Sequence, residues 1–331
     1  MVSSKLVAAT LLSAGGSAYA QDVYATFTVN CQPLTVQAAG PIVSPSADLS
    51  DHVHSAIAGT NFFAGTTPAN ALTSAATTCD TELDRSIYWV PQLYLHRGRQ
   101  QAQDGRVQGI RQAVYYQNRA CNYEPGRTSC PSYKINFAGP FSEGLQMVAG
   151  HLIKRAFDPS DIEQRAVNHL CFLRGGGSVQ TNSVPLEQCI DIRSQMCYPD
   201  SRYGVYNGGV CPKSHPIAVI TIFYEFFLNT SKYKDRNFVF ARGDETGYGF
   251  HGDFGKPPAI HTDLQRLGDA HRTCTGREGI DAPSCSLNVG VNGTPDTATP
   301  RSPVAQLPGG KIPLGETPVR VKRSRVMAEE Y

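Results

Sequence analysis

Two imidazoles two residues apart are the first feature with chemical content. In Ser50-Asp51-His52-Val53-His54, His52 and His54 project to the same side if the segment is extended. Imidazole suits zinc or copper, and a metal held by two such ligands needs at least one more. The plainer alternative has one ring bonded to a backbone carbonyl and the other in solvent. A second stretch, Gly243-Asp244-Glu245-Thr246-Gly247-Tyr248-Gly249-Phe250-His251-Gly252-Asp253-Phe254, packs four glycines among titratable side chains. Glycine permits tight turns and close approach to a ligand. Asp244, Tyr248, His251 and Asp253 span the acid–base repertoire, and His251 and Asp253 share a face of an extended chain. Against this stands a simple turn in which Asp244 caps its own loop. The third candidate is Glu225, a lone carboxylate in Ile220–Leu228. Among large apolar neighbours it must be paired, or raised in pKa and useful as an acid, unless its face meets solvent.

The elements that must position these groups read as strands. Ser86–Leu95, Gln112–Tyr116, Leu145–Ala149, Pro216–Phe227 and Phe238–Ala241 are rich in β-branched and aromatic residues and bounded by Gly, Pro, Asn or Asp. Alternation places Ile220, Ile222, Tyr224 and Phe226 on one face and Thr221, Phe223, Glu225 and Phe227 on the other. One segment reads as helical: Asp158-Pro159-Ser160-Asp161 is a credible cap, followed by Ile162, Ala166 and Leu170 at four-residue spacing. The single tryptophan, Trp89, reads as core. The expected fold is mainly β, a sandwich or jelly roll with long loops and one or two short helices.

Residues 1–20 carry Lys5, an apolar run Leu6–Leu12 and Ala18-Tyr19-Ala20 before a cleavage point, which is the grammar of a secretory signal. Ten cysteines follow and no Cys-x-x-Cys pair occurs, so a disulfide framework is expected and a zinc ribbon is not. Cys121–Cys130 and Cys274–Cys285 are close enough in sequence to form local loops. The net charge of +2 gives no electrostatic hold on nucleic acid. No long apolar segment calls for membrane insertion after the leader. A secreted monomer is expected, with sequons at Asn229 and Asn292 open to glycosylation. Residues 21–285 read as one disulfide-rich domain and 286–331 as a Pro/Gly/Thr-rich disordered tail containing the dibasic Lys322-Arg323.

Taken in order, Ser50–His54 with Gly59 and Phe62, the strand Tyr88–Tyr94, Phe141–Gly150, Cys211-Pro212 with His215-Pro216, Phe223-Tyr224-Glu225 and Gly243–Phe254 form a recognisable series. It resembles a family of secreted fungal proteins, known as a domain of unknown function and often fused to WSC (cell-wall-stress) carbohydrate-binding domains. The resemblance implies a fungal, cell-wall or secretome setting and a role on polysaccharide. Two departures stand out. Gln195–Ser201 lacks the Trp-containing stretch usual at that point, and Gly255-Lys256-Pro257-Pro258 replaces a trailing Gly-Trp.

Three functions fit these residues, the first being the expected one and the others its alternatives. The first is an enzyme acting on cell-wall glucan or plant polysaccharide. Hydrolysis would draw two carboxylates from Glu225, Asp244 and Asp253, while elimination would use His251 or Tyr248 as base with Arg242 or a metal neutralising a uronate. The second is a protein that binds a divalent metal (copper, zinc or calcium) through His52, His54 and His251. The third is a non-catalytic wall-associated or surface-antigen-like protein whose motif residues are turns and satisfied core polar groups.

Overall fold

The computed structural model describes residues 26–45, 50–63, 67, 69, 73–81, 84–96, 107, 109–117, 120–129, 144–161, 164, 166–173, 176–181, 189–197, 209–214, 216–218, 221–231, 233 and 237–255. Residues 1–20, expected as a leader, residues 286–331, expected as a tail with Lys322-Arg323 and Asn292, and Cys130, Cys274, Cys285 and His215 lie outside them.

The strands alternate large apolar side chains that need cover on one face only, so they assemble as two antiparallel sheets sharing one core. The larger sheet has the order β1-β6-β13-β11-β9-β10. Its strands are β1 (Thr26–Cys31), β6 (Gly109–Gln117), β9 (Val167–Leu173), β10 (Ser178–Thr181), β11 (Cys189–Cys197) and β13 (Thr221–Leu228). The smaller has the order β2-β3-β4-β15-β8. It is built from β2 (Pro33–Gln37), β3 (His54–Ala58), β4 (Ile87–Pro91), β8 (Gln146–Gly150) and β15 (His251–Gly255). Two further pairs are antiparallel β5 (Leu93–His96) with β14 (Asn237–Phe240), and parallel β7 (Ala120–Cys121) with β12 (Gly209–Val210).

Ile222, Tyr224 and Phe226 of β13 and Val114 and Tyr116 of β6 pack in one cluster with Ile57 of β3, Tyr88 and Val90 of β4 and Phe254 of β15. Each fully buried large apolar side chain of this kind contributes roughly 1.5–3 kcal/mol. Polar clasps cross the same interface. Tyr224 donates from its hydroxyl to the Asp253 carbonyl at 3.2 Å, and Tyr88 and Tyr116 both donate to Asp84 Oδ2, at 2.9 and 2.8 Å. The Cys31–Cys79 disulfide joins residues 48 apart, a loop whose closure is worth about 4 kcal/mol in the chain-entropy account. Cys121 and Cys171 are disulfide-bonded as well.

The expected sandwich-like, mainly β architecture is what forms, and strands occur in all five expected segments. Ser86–Leu95, however, is split at Gln92 into β4 and β5, which belong to different sheets, and β13 starts at Thr221 rather than Pro216. No helical element is defined among the described residues, where only Ala69 and, within the expected segment, Gln164 are helical. The helical expectation over Asp158–Leu170 is corrected in part: Asp158–Asp161 is a turn and Leu170 lies inside β9. A second periodicity in the same residues prevails there, since Val167, His169 and Cys171 alternate inward as β9 pairs with β10 and β11. No described helix is long and apolar enough to cross a membrane.

Candidate metal centre

The smaller sheet has a second face, pointing away from the shared core. Because side chains alternate, Tyr88 and Val90 face inward while Ile87 and Trp89 face outward. The outer residues pack with Leu34, Ala39, Ala56 and Phe62 in a separate cluster. Two cross-strand rows organise this face. Ala56, Trp89 and Asp253 lie in one row, paired through β4. His54 and Pro91 pair in the next, and continuing the β4–β15 register sets His251 level with Pro91 on the opposite side. His54 and His251 therefore lean toward each other across the central strand, with ring centroids 5.6 Å apart. His52, two residues before His54, adds a third ring with its centroid 4.1 Å from that of His54.

The rings converge through one atom each. His52 Nε2 lies 3.1 Å and His54 Nε2 3.4 Å from His251 Nε2, and all three potential ligand atoms fall within 4.8 Å of one another. The opposite ring nitrogen is committed in every case. His52 Nδ1–H donates to Asp51 Oδ1 at 2.5 Å, His54 Nδ1–H to the Ala39 carbonyl at 2.6 Å, and His251 Nδ1–H to the Gly249 carbonyl at 3.1 Å. Those bonds fix the tautomer and leave three Nε2 lone pairs aimed at a common point. Lone pairs so arranged repel unless something electron-deficient lies between them. Nitrogens about 2.0–2.1 Å from a tetrahedral zinc stand roughly 3.3 Å apart, which these separations match.

Burial sets the electrostatics. All three histidines are at most 2 % exposed. Burial, then the neighbouring His52, holds His251 down to about 3, and burial with the His52 and His251 charges holds His54 well below its ordinary value. His54 and His251 are thus neutral ligands at physiological pH. Arg242 bonds through Nη1 to Asp51 Oδ2, so the sequence His52–Asp51–Arg242 forms an outer shell of the kind that orients metal-bound histidines. All-imidazole donors suit zinc or copper; calcium, which wants oxygen, does not fit.

The family described as Domain of unknown function (DUF1996) matches residues 40–256 of 331, most of the chain, and spans all three histidines. The chain belongs to that family. No curated protein and no solved structure matches it.

In this DUF1996 member the loop preceding His251 is a small machine for aiming that ring. Asp244 Oδ1 accepts from Thr246 N (2.9 Å), Thr246 Oγ1 (2.6 Å) and Gly247 N (3.2 Å), while Oδ2 accepts from Gly249 N (2.8 Å). Arg155 Nε sits 3.6 Å from the same carboxylate. Asp244 therefore caps its own loop and does not reach the histidines. A Cβ on Gly249 would lie 2.4 Å from Arg155 Nη1 and 2.9 Å from Asp244 Oδ2, so only glycine brings the carbonyl that anchors His251 into place. Gly150, paired with His251 on β8, has a φ of +83° and a Cβ position 2.4 Å from the Phe250 carbonyl.

The remaining sequence candidates scatter. Asp253 shares the outer face with His251, as alternation requires, and is 1 % exposed. Burial pushes its carboxyl up to about 8, with Trp89 opposing the rise. Tyr248 stacks on Phe157 at 6.1 Å and lines a small recess with Gly150, Gln164, Val167, Gly247 and Phe250. Glu225 alternates with inward-facing Tyr224 and so lies on the far face of the larger sheet, where Tyr115 donates to it at 2.9 Å. The whole sandwich separates it from the histidines. Asp51 and the Ala39 and Gly249 carbonyls are the functional groups that sequence reasoning passed over. Asp51 stood beside the His-x-His motif, but backbone carbonyls carry no sequence signal.

Proposed function

We propose that this is a secreted metal-binding protein whose single zinc or copper ion is held by His52, His54 and His251. The observation that carries the reading is the convergence of three buried Nε2 atoms while all three Nδ1 atoms are spoken for. Three neutral protein ligands leave a tetrahedral ion one open position, the arrangement of sites that do chemistry on water or on a substrate. The disulfides at Cys31–Cys79, Cys121 and Cys171 fit an oxidising, extracytoplasmic setting. Asn229, whose side chain accepts from Ser231 Oγ at 2.5 Å at the end of β13, is the sequon we expect to carry glycan.

Action on wall polysaccharide belongs to the same reading only through the metal. The carboxylates available for ordinary glycoside hydrolysis do not face one another: Asp244 is tied into its loop and Glu225 lies on the other sheet. The test is metal analysis of protein purified from its native secretory route, followed by X-ray absorption of the zinc- or copper-reloaded sample. One equivalent of metal with three imidazole nitrogens at about 2.0–2.1 Å supports the reading. Protein that neither carries nor takes up metal at micromolar concentration overturns it. Loaded and stripped samples incubated with fungal and plant wall polysaccharides then show, by product mass, whether the metal supports hydrolysis, elimination or oxidation.

A further inference from the structure

The histidine cluster leaves the charge of a bound ion uncompensated. Among the described residues no carboxylate oxygen joins the three ring nitrogens. A metal-bound imidazole is neutral, so a divalent ion here keeps its full charge while the rings around it are at most 2 % exposed. The permanent charges acting on His251 are Arg242 and Asp51, and these are paired with each other. Asp51 holds His52 Nδ1 at 2.5 Å through Oδ1 and takes Arg242 Nη1 on Oδ2. Arg242 repels positive charge at both His54 and His251. Asp244 is tied to its own loop and to Arg155. A buried charge left without compensation is costly, and a bound ion is the largest charge in such a site.

Arg242 also has donors to offer. Nη1 makes its one hydrogen bond, whereas Nε and Nη2 have no partner among the described residues and neither is sealed from solvent. Its side chain is 17 % exposed and that of Asp51 38 %, so this pair forms the solvent side of the cluster. We propose that the open position of the ion takes a small carboxylate, and that Arg242 is a specificity-determining residue that sets this preference through its charge. The inference rests on the metal-centre reading and deepens it by naming the ligand class. Burial of the rings restricts the ligand to a group of few atoms, either a free acid or a carboxylate projecting from a larger molecule. A neutral hydroxyl in the same place leaves the ion's charge uncompensated and is the poorer ligand. Asp51 opposes Arg242 in this. Without Arg242 the Asp51 charge is unbalanced and repels an anion; without the Asp51 charge Arg242 is unbalanced and attracts one.

The experiment uses full-length cobalt(II)-loaded protein, with acetate and its neutral isostere acetamide as the probes, read by the visible ligand-field spectrum. Wild type, R242Q and D51N are compared at cobalt concentrations that saturate each, and near-UV circular dichroism checks the fold. Wild type is expected to bind acetate at least about thirtyfold more tightly than acetamide. Acetate affinity should fall about fivefold or more in R242Q and rise about threefold or more in D51N. The opposite signs separate a charge effect from misplacement of His52, which both variants share and which would move them the same way. Acetate and acetamide bound equally by the wild type overturn the proposal. So do variants that shift acetate affinity in one direction, or not at all. If one variant fails to fold, the sign of the shift in the other decides. Wild-type protein that binds no cobalt, zinc or copper sinks the metal reading itself, whereas bound cobalt whose spectrum acetate leaves unchanged sinks this inference alone.

Discussion

His52 Nε2 and His251 Nε2 stand 3.1 Å apart across 199 residues of sequence, each with its Nδ1 proton already donated elsewhere. Neither ring can therefore donate to the other, and the contact is made by two acceptors. Without metal, protonating one Nε2 would supply the missing donor, yet burial opposes the charge. His251 is held down to about 3, His54 well below its ordinary value of 6.5, and His169, buried against Phe240 and Phe250, to about 4. A folded-state pKa below the unfolded one means that the unfolded chain binds more protons between the two. Each of the three histidines should thus contribute stability that is full above about pH 6.5 and lost as pH drops toward 4, up to about 1.4 kcal/mol per pH unit each. Asp253, whose carboxyl raised to about 8 favours the folded state as pH falls, partly offsets that loss. Urea unfolding of stripped protein between pH 7.5 and 4.5 measures this. His251→Asn should flatten the slope by about one proton, leaving the His54 and His169 share. A flat wild-type profile would contradict the neutral-cluster description.

Removing the outer shell should weaken metal binding without destroying the site. Asp51→Asn keeps an acceptor for His52 Nδ1 but loses the charge that Arg242 balances, and Arg242→Gln frees Asp51 to move. Each is expected to lower zinc affinity 10–100-fold, the range found for outer-shell changes at histidine sites. Competition with a chromogenic chelator reads it directly. Equal affinity in both variants would mean that His52 needs no orienting partner.

How much of this site was legible in the chain differs residue by residue. His52 and His54 come together as expected, although His52 sits in a bend just before β3 and not in the extended chain the reading assumed. Alternation does put His251 and Asp253 on one face of β15. That the two pairs meet was not derivable. It depends on β4 lying between β3 and β15, a pairing fixed by which apolar faces cover each other and not by local pattern. The Gly-rich loop was readable as a loop, and the duller reading of Asp244 as its cap is the one that formed. The lone-carboxylate argument for Glu225 identified its face correctly, but not that this face belongs to the other sheet. Leu170 misled because four-residue spacing and two-residue alternation coexist over Ala166–Leu173, and pairing on both edges of β9 favoured the strand.

Gly249 should be intolerant even of alanine. Arg155 Nη1 is the end of a flexible side chain and can withdraw, but Asp244 Oδ2 at 2.9 Å and the Leu152 carbonyl at 3.0 Å cannot. Gly249→Ala should cost roughly 1–3 kcal/mol and, by moving the carbonyl that orients His251, reduce bound zinc well below one equivalent. Gly126→Ala is the control. It also has a positive φ, of +80°, but nothing lies within 4 Å of the added Cβ, so it should lose some stability and keep its metal. Melting temperature and metal content measured on the same preparations separate the two effects.

Glu225 distinguishes a metal-centred activity from a carboxylate-centred one. Its Oε2 accepts from Tyr115 at 2.9 Å, on the face of β13 opposite the Tyr224 ring that packs toward Tyr88. Two layers of side chains and the smaller sheet itself lie between it and the histidines. Glu225→Gln retains an acceptor of similar shape and should cost about 0.5–1.5 kcal/mol through a weakened charge-assisted hydrogen bond. Zinc affinity should stay within twofold of wild type. Any polysaccharide-cleaving activity found for the loaded protein should survive in this variant and vanish in His251→Asn. The reverse pattern, activity lost in Glu225→Gln with the fold and the metal intact, would move the chemistry to the larger sheet and leave the histidine cluster a structural site.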